Sequence, residues 1–315
     1  MLNYSVAELR ISYLCSMKAK RIAIFGNTHQ EKKSAKVFRV LELLRAYGAE
    51  VIIEKEFYEF LVGRSANGIE SGAQNLSDIP SFAGVDFDAD MVISMGGDGT
   101  LLKAAHYVGS KQIPIAGVNI GRLGFLAGVN SDDIDDAVVE LVEGRYQMEE
   151  HTVIRVEAQG HEFETCPNAL NDIAVLKRDT ASMITIRAEV NGEQLVTYQA
   201  DGLIVSTPTG STAYSLSNGG PIIAPRSGIL CLTPVAPHSL NIRPIVLGDD
   251  VEIALTVESR SHNFLIAVDG RSEKCEQGTR LIIRKAPYTV NIIKRIGTEY
   301  FTTLREKMGW GMDAR

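Results

Sequence analysis

Met91-Val92-Ile93-Ser94-Met95 runs straight into Gly96-Gly97-Asp98-Gly99-Thr100, and this junction is the part of the sequence best equipped for chemistry. The apolar run is short, and its length and trailing glycines favour a strand over a helix. Thr100 to Val108 then reads as a helix. A glycine-rich turn between a strand and a helix is where open α/β sheets bind their ligands. Glycines let the backbone come close to a phosphate, and a helix start offers N–H groups and the positive end of its dipole. Asp98 is out of place in such a cradle, because a carboxylate repels phosphates. It therefore serves either to accept a proton or to hold a metal, the plainer alternative being a helix N-cap. The double glycine, which capping does not require, favours chemistry.

Three further stretches carry polar groups at suggestive spacing. Asp201-Gly202-Leu203-Ile204-Val205 leads into Ser206-Thr207-Pro208-Thr209-Gly210-Ser211-Thr212-Ala213-Tyr214-Ser215, which puts five Ser/Thr side chains within nine residues. Hydroxyls at that density offer neutral partners for ribose hydroxyls or phosphate oxygens, although a Ser/Thr-rich loop needs no ligand to explain it. Asn171-Asp172, just before an apolar run, can bracket a ribose diol or simply make a turn. Pro237-His238-Ser239-Leu240-Asn241-Ile242-Arg243-Pro244 is a proline-punctuated loop in which His238 has no neighbouring acid to form a triad. Two familiar nucleotide signatures are absent. There is no G-x-x-x-x-G-K-[ST], and the first strand ends in Gly26-Asn27-Thr28-His29 rather than G-x-G-x-x-G.

The elements that must position these residues fall into two textures. From Arg21 to about residue 145, strands and helices alternate: a strand at Ile22–Phe25, a helix with Val37, Val40, Leu41 and Leu44 at helical spacing, and a strand at Val51–Ile53. A strand at Ile113–Val118 and a helix from Asp132 to Glu143, ended by Gly144, complete the series. That alternation predicts a parallel sheet with helices on its faces. Residues 62–80, rich in Gly, Ser and Asn, read as a mobile surface loop. Beyond residue 146 apolar and polar residues alternate, at Val153–Ala158, Met183–Val190 and Val251–Val257. Asn191-Gly192 and Asp269-Gly270 are hairpin signals, so this part reads as an antiparallel sandwich. A last strand near Val290–Ile293 and a polar helix over Thr302–Lys307 close the chain. Residues 1–17 read as an extension, with a natural start at Met17.

The 315 residues suggest two domains, and 45% hydrophobic with 23% charged residues is the balance of an ordinary globular protein. The formal net charge of −7 argues against a general nucleic-acid partner. No apolar run approaches the roughly 18 residues of a membrane span, and no secretory signal opens the chain, so a cytoplasmic protein without membrane or nucleic-acid partners is expected. Cys15, Cys166, Cys231 and Cys275 form no C-x-x-C pair, which predicts reduced thiols rather than metal ligands or disulfides.

G-G-D-G-T, N-x-G-x-L-G-F-L (Asn119–Leu126), N-D, D-G-x-x-V-S-T-P-T-G-S-T-A-Y and the P-H-S-L-x-x-R-P loop occur in that order. Together they resemble the NAD kinase family over roughly Arg21 to Arg295. The resemblance implies a Rossmann-like α/β domain over 18–145, an all-β sandwich NAD-binding domain over 146–288, and a segment, 289–315, that returns to the first domain. It implies transfer of a phosphoryl group from ATP to the 2′-hydroxyl of the adenosine ribose of NAD, with Mg²⁺ or another divalent cation, in a homodimer or homotetramer. Asp98 is then the general base or orienter of that hydroxyl. Gly96, Gly97, Gly99 and Thr100 face the phosphates of ATP, with no metal-ligating residue in the chain itself. That suits an ion held largely by nucleotide and water. NAD falls to Gly97, Asp98, Gly99, Phe125, Asn171, Asp172, Asp201, Thr209, Thr212, Ala213, Tyr214 and Ser217. Of these, Asn171 and Asp172 take ribose and phosphate, and Asp201 the nicotinamide end. Phe125, Thr212, Ala213 and Tyr214 line the adenine and ribose pocket. Many members carry Glu where Asp172 stands, and the shorter arm shortens that contact. Lipid kinases and 6-phosphofructokinases share related G-G-D-G turns but lack the Asp201–Tyr214 run paired with N-D. A non-catalytic NAD(H) sensor has no use for a carboxylate beside phosphates.

Overall fold

The computed structural model describes residues 21–28, 34–66, 76–120, 124–130, 132–179 and 182–310. They form two compact units, one running up to Glu149 and resuming at Asn291, the other spanning Glu150–Val290. The proposed extension, residues 1–17, lies outside the described residues.

The first unit is built on strands β1 (Arg21–Gly26), β2 (Glu50–Glu54), β3 (Ser81–Phe82), β4 (Met91–Met95), β5 (Ile115–Asn119) and β6 (Val129–Asn130). Its helices are α1 (Ser34–Ala46), α2 (Lys55–Ala66), α3 (Asp98–Val108) and α4 (Ile134–Val142). The strands pair in parallel in the order β3-β2-β1-β4-β5, with β6 continuing along β5. All five residues of β4 and of β5 are buried, as a parallel sheet covered on both faces requires. Helix α4 buries Ile134, Ala137, Val138 and Leu141, a stripe at 3.6-residue period. Because β1, β2 and β3 step outward one way and β4 and β5 the other, the chain reverses between β1 and β4. The carboxyl ends of those two strands mark the switch point where such sheets bind ligands.

One expectation fails in this unit. Residues 62–66 belong to α2 rather than to a surface loop, and Leu76 and Ile79 further along are buried. The aromatic-rich start of α2, Phe57-Tyr58-Glu59-Phe60, does not announce a helix. It forms because Phe57 and Leu61, four apart, bury one face, and because the buried Glu54 carboxylate accepts the Glu56 and Phe57 N–H groups at 3.2 and 3.1 Å.

The second unit contains most of β7 (Tyr146–Ala158), then β8 (Asn168–Ala169), β9 (Asp172–Leu176), β10 (Ile184–Val190), β11 (Glu193–Ala200) and β12 (Gly202–Ser206). A short helix α5 (Tyr214–Ser217) follows, then β13 (Ile229–Val235), β14 (Ile245–Gly248), β15 (Ile253–Glu258), β16 (Asn263–Val268) and β17 (Arg271–Glu276). The long β18 (Arg280–Arg295) runs out of this unit, and helix α6 (Tyr300–Met308) belongs to the first one. Antiparallel pairing joins β11-β10-β15-β18 in one layer and β14-β13-β12-β9-β16-β17 in the other. Both hairpin turns, Asn191-Gly192 and Asp269-Gly270, hold positive φ at the two central residues, which matches the twist of the strands they join. Ile186, Tyr198, Leu203, Val205 and Phe264 fill the space between the layers. Strand β12 is buried along its whole length because it is central in its layer. Ile204 meets Ala174 and Ala267 on the face away from that core.

Candidate active site

Asp98 is the first residue of α3, and Gly97 is its cap, so Asp98 does not cap its own helix. Its carboxylate is held from elsewhere. The Phe125 N–H donates to Oδ2 at 2.8 Å and the Leu126 N–H to Oδ1 at 3.1 Å. Two N–H groups on one carboxylate fix its plane, while each oxygen keeps a lone pair for another donor. Such an approach is possible only because residue 124 is glycine: a methyl group there would overlap the Asp98 carboxylate. The G-F-L end of the second motif is thus the cradle of the first motif's aspartate; residues 121–123 of that motif lie outside the described residues.

The glycines of the turn divide their work. Gly96 donates its N–H to the Val118 carbonyl at 3.0 Å, so it is committed to the sheet rather than available to an anion. A side chain at Gly96 would collide with Thr100, which is itself buried. The donors left over lie further on, where the Asp98 and Gly99 N–H groups open the helix and find no acceptor among the described residues. Lys294, near the end of β18, donates to the Leu126 carbonyl at 3.3 Å, and the Lys307 ammonium lies 4.7 Å from the centre of the Phe125 ring. Neither lysine stands out in the sequence as a site residue. Burial lowers the pKa of Lys294 despite the Glu149 and Asp98 carboxylates. Burial pulls Lys307 down to about 8, opposed by Asp98 and assisted by Lys294.

In the second unit the strand register brings distant motifs to one edge. Asp172 opens β9 directly across from Ser206 at the end of β12, and Val268 at the end of β16 lies across from Ile173. Three strand ends therefore meet, and Asn171, Asp172, Thr207 and Asp269 gather there. The Thr207 N–H donates to the Asn171 carbonyl at 2.9 Å and the Thr207 hydroxyl to the Leu170 carbonyl at 2.6 Å. Gly210 packs against the same Asn171 carbonyl so closely that a methyl group would overlap it.

Asp269, which reads in the sequence only as a turn residue, organises this edge. Its carboxylate accepts the N–H groups of Leu170, Asn171 and Asp172 at 2.8, 2.8 and 3.2 Å. Burial raises its pKa against the pull of those three donors. Asp172, 7% exposed, is pushed up to about 7 by burial first and by the Asp269 charge second. The Asn171 side-chain oxygen is buried with no hydrogen-bond partner among the described residues. A buried acceptor without a donor calls for one from outside the chain.

The hydroxyl-rich loop is less open to a ligand than its composition implies. Ser206, Thr207 and Ser211 are fully buried, and Ser211 donates to the Pro208 carbonyl at 2.7 Å while accepting the Ile223 N–H at 3.1 Å. These three hydroxyls shape the loop. Thr209, hydrogen-bonded to His151 Nδ1 at 2.8 Å, together with Thr212 and Ala213, is half-buried on it, and Tyr214 and Ser217 are exposed. Asp201 does not join them. It precedes β12 at the opposite end, roughly 17 Å away along the strand, and pairs with Lys177 at 2.7 Å. In the proline-punctuated loop, Arg243 turns back to the Leu240 and Ile242 carbonyls.

Two family models match this chain: the ATP-NAD kinase N-terminal domain over residues 22–146 and the ATP-NAD kinase C-terminal domain over residues 170–295. An NAD kinase of Bacteroides fragilis is 53% identical over 295 residues, covering 94% of this chain and 99% of that one. The chain belongs to the NAD kinase family. With that, the kinase reading of the ordered motifs holds, with NAD as acceptor and ATP as donor. Among solved structures, a yeast NADH kinase complexed with NADH has the same fold (TM-score 0.81, 21% identity, 95% of this chain and 90% of that one). An Archaeoglobus fulgidus NAD kinase in complex with ATP gives a TM-score of 0.68 at 25% identity, over 92% and 97% of the two chains. The N-terminal match contains the Asp98 turn and its Phe125 cradle; the C-terminal match contains Asn171, Asp172 and the Thr207–Ser217 loop.

Proposed function

We propose that this chain transfers the terminal phosphoryl group of ATP to the 2′-hydroxyl of the adenosine ribose of NAD, with Asp98 as the group that orients the hydroxyl and takes its proton. The observation that carries the assignment is the Asp98 carboxylate, held by Phe125 and Leu126 at a glycine turn on the switch point of a parallel sheet. In the reaction the 2′-oxygen bonds to the terminal phosphorus, the bond to the bridging oxygen breaks, ADP leaves and the hydroxyl proton passes to Asp98. Phosphoryl transfer asks for alignment and charge neutralisation more than covalent help. A carboxylate with a fixed plane and a lone pair to spare meets the first need, provided the hydroxyl comes within hydrogen-bond reach. The free N–H groups at the start of α3 suit phosphate oxygens.

On the second unit, the unmatched Asn171 oxygen and the buried Asp172 carboxylate are acceptors for ribose or adenine donors, and they support its reading as the NAD-binding part. Thr209, Thr212, Ala213, Tyr214 and Ser217 extend that face, and Asp201 takes the far end of the dinucleotide. A hard divalent cation, Mg²⁺, held largely by the nucleotide phosphates and water, would when bound neutralise charge on the phosphates. Among the described residues no helix is long and apolar enough to cross a membrane. A cytoplasmic homodimer or homotetramer completes the proposal, and light scattering on the purified protein measures the assembly.

The decisive assay mixes protein, Mg-ATP and NAD and reads NADP with an NADP-specific dehydrogenase. Asp98→Asn keeps the shape and lowers kcat by about a thousandfold, while the Kd for NAD stays within about fivefold. An unchanged kcat sinks the role given to Asp98.

A further inference from the structure

Two ammonium groups stand beside Asp98, and no motif accounts for either. Lys294 holds the carbonyl of Leu126, the residue whose N–H holds Asp98 Oδ1. Lys307, on α6, lies over the ring of Phe125, the residue whose N–H holds Oδ2. The Lys307 nitrogen is buried and has no hydrogen-bond partner among the described residues, although an ammonium carries three donors. A contact with a ring face offsets only part of the cost of removing a charge from water. Glu149 and Asp98 both face Lys294, and Asp98 faces Lys307, so the two positive charges are matched in number while the Lys307 donors stay unused among the described residues. Phe125 and Lys294 also line a cleft of about 430 Å³, shared with Asp133, Arg295, Glu299 and Glu306, so a solute has a route to the ring that Lys307 covers and to Lys294 itself. The chemistry that fits the unused Lys307 donors is a compact anion with several acceptor oxygens.

We propose that Lys307, with Lys294 beside it, binds the phosphoryl group that is transferred to the hydroxyl at Asp98. This rests on the kinase reading above and adds to it the residue that meets the charge on the moving group. Negative charge spreads over three equatorial oxygens as phosphoryl transfer proceeds, and a lysine serves them as a point charge. The phosphate in turn supplies what the buried ammonium lacks. The lowered pKa of Lys307 is what a cation held dry in advance of its anion should show. Its partner Lys294 keeps the Asp98 cradle in place through Leu126 and contributes a second positive charge.

The test uses the full chain and two variants. Lys307→Met keeps the aliphatic stem over Phe125 and removes the charge; Lys307→Arg restores a charge with different geometry. Lys307→Met should raise KM for ATP and lower kcat, each about tenfold or more, with KM for NAD within about twofold, the scale of one charge-assisted hydrogen bond. Lys307→Arg should recover a large part of the loss, which a merely structural role would not predict. Inorganic tripolyphosphate, titrated calorimetrically, should bind the parent and bind Lys307→Met at least about tenfold more weakly. Unchanged KM for ATP and kcat in Lys307→Met overturns the proposal, as does a loss confined to KM for NAD, which would assign the lysine to the acceptor's phosphates. If the parent formed no NADP, the kinase reading would fall, while the tripolyphosphate titration would still decide whether Lys307 is an anion site.

Discussion

Replacing Asp172 by Asn tests how the second unit holds its charges. The Asp172 carboxyl is raised from 3.8 to about 7 by burial and by the Asp269 charge. That is a displacement of about 3 pH units, on the order of 4 kcal/mol at 1.36 kcal/mol per unit. The sign follows from linkage. Between pH 4 and 7 the folded chain binds a proton here that the unfolded chain has lost, so this group lowers stability as pH rises through that window. Above pH 7 the whole penalty is present; below pH 4 none of it remains. Asn fills the same volume without a charge, so the ligand-free variant should be more stable than the parent at pH 8. At two to four degrees per kcal/mol the difference in Tm is about 10 °C. It should shrink steadily towards pH 4. Calorimetric melts of both proteins across that range, without NAD, measure it. NAD should reverse the order, because ribose hydroxyls that donate to the Asp172 carboxylate stabilise its charged form, and the parent should release a proton on binding at pH 6. A variant that is less stable than the parent at pH 8, or a difference that does not change with pH, refutes the reasoning.

Two glycine substitutions probe how closely the motifs are packed. Gly124→Ala pushes a methyl group into the Asp98 carboxylate, so kcat should fall by about a hundredfold, the cost of misplacing a reacting group by about 1 Å, with KM for NAD little changed; near-parental turnover would mean that the Gly124 contact does not position Asp98. Gly210→Ala meets the Asn171 carbonyl, which is backbone and cannot step aside, so the chain should lose about 1–3 kcal/mol of stability by urea unfolding and bind NAD at least about tenfold more weakly by calorimetry.

Much of the fold is legible in the chain itself because it depends on short-range pattern. The 3.6-residue stripe of α1, the buried runs of β4 and β5 and the Asn191-Gly192 hairpin follow from local periodicity and turn chemistry, and so does the split between a parallel and an antiparallel half. Helix α2 escaped that reading because its first turn is aromatic and its start is secured by Glu54, a residue that belongs to the preceding strand. The order of motifs likewise named the family, since residue types at fixed spacing are properties of the chain alone. The two roles within the hydroxyl run are not. Ser206, Thr207 and Ser211 are spent on the loop while Thr209, Thr212 and Tyr214 remain accessible, and only packing separates them.

The chain alone places Asp98 in a glycine turn after an apolar strand, and leaves its carboxylate the choice between capping a helix and serving a ligand. What tertiary structure decided is what surrounds it. The N–H groups that fix its plane come from Phe125 and Leu126, 27 and 28 residues later, and the ammonium groups beside it come from Lys294 and Lys307. In the same way Asp269 shapes Asn171 and Asp172 from almost a hundred residues downstream, across strand ends that only the sheet register aligns. Lys307 closes what reads as an ordinary polar helix, and Asp269 reads as an ordinary turn. Nothing within a few residues of either marks them, because their charges acquire meaning from burial and from partners that are neighbours in space alone.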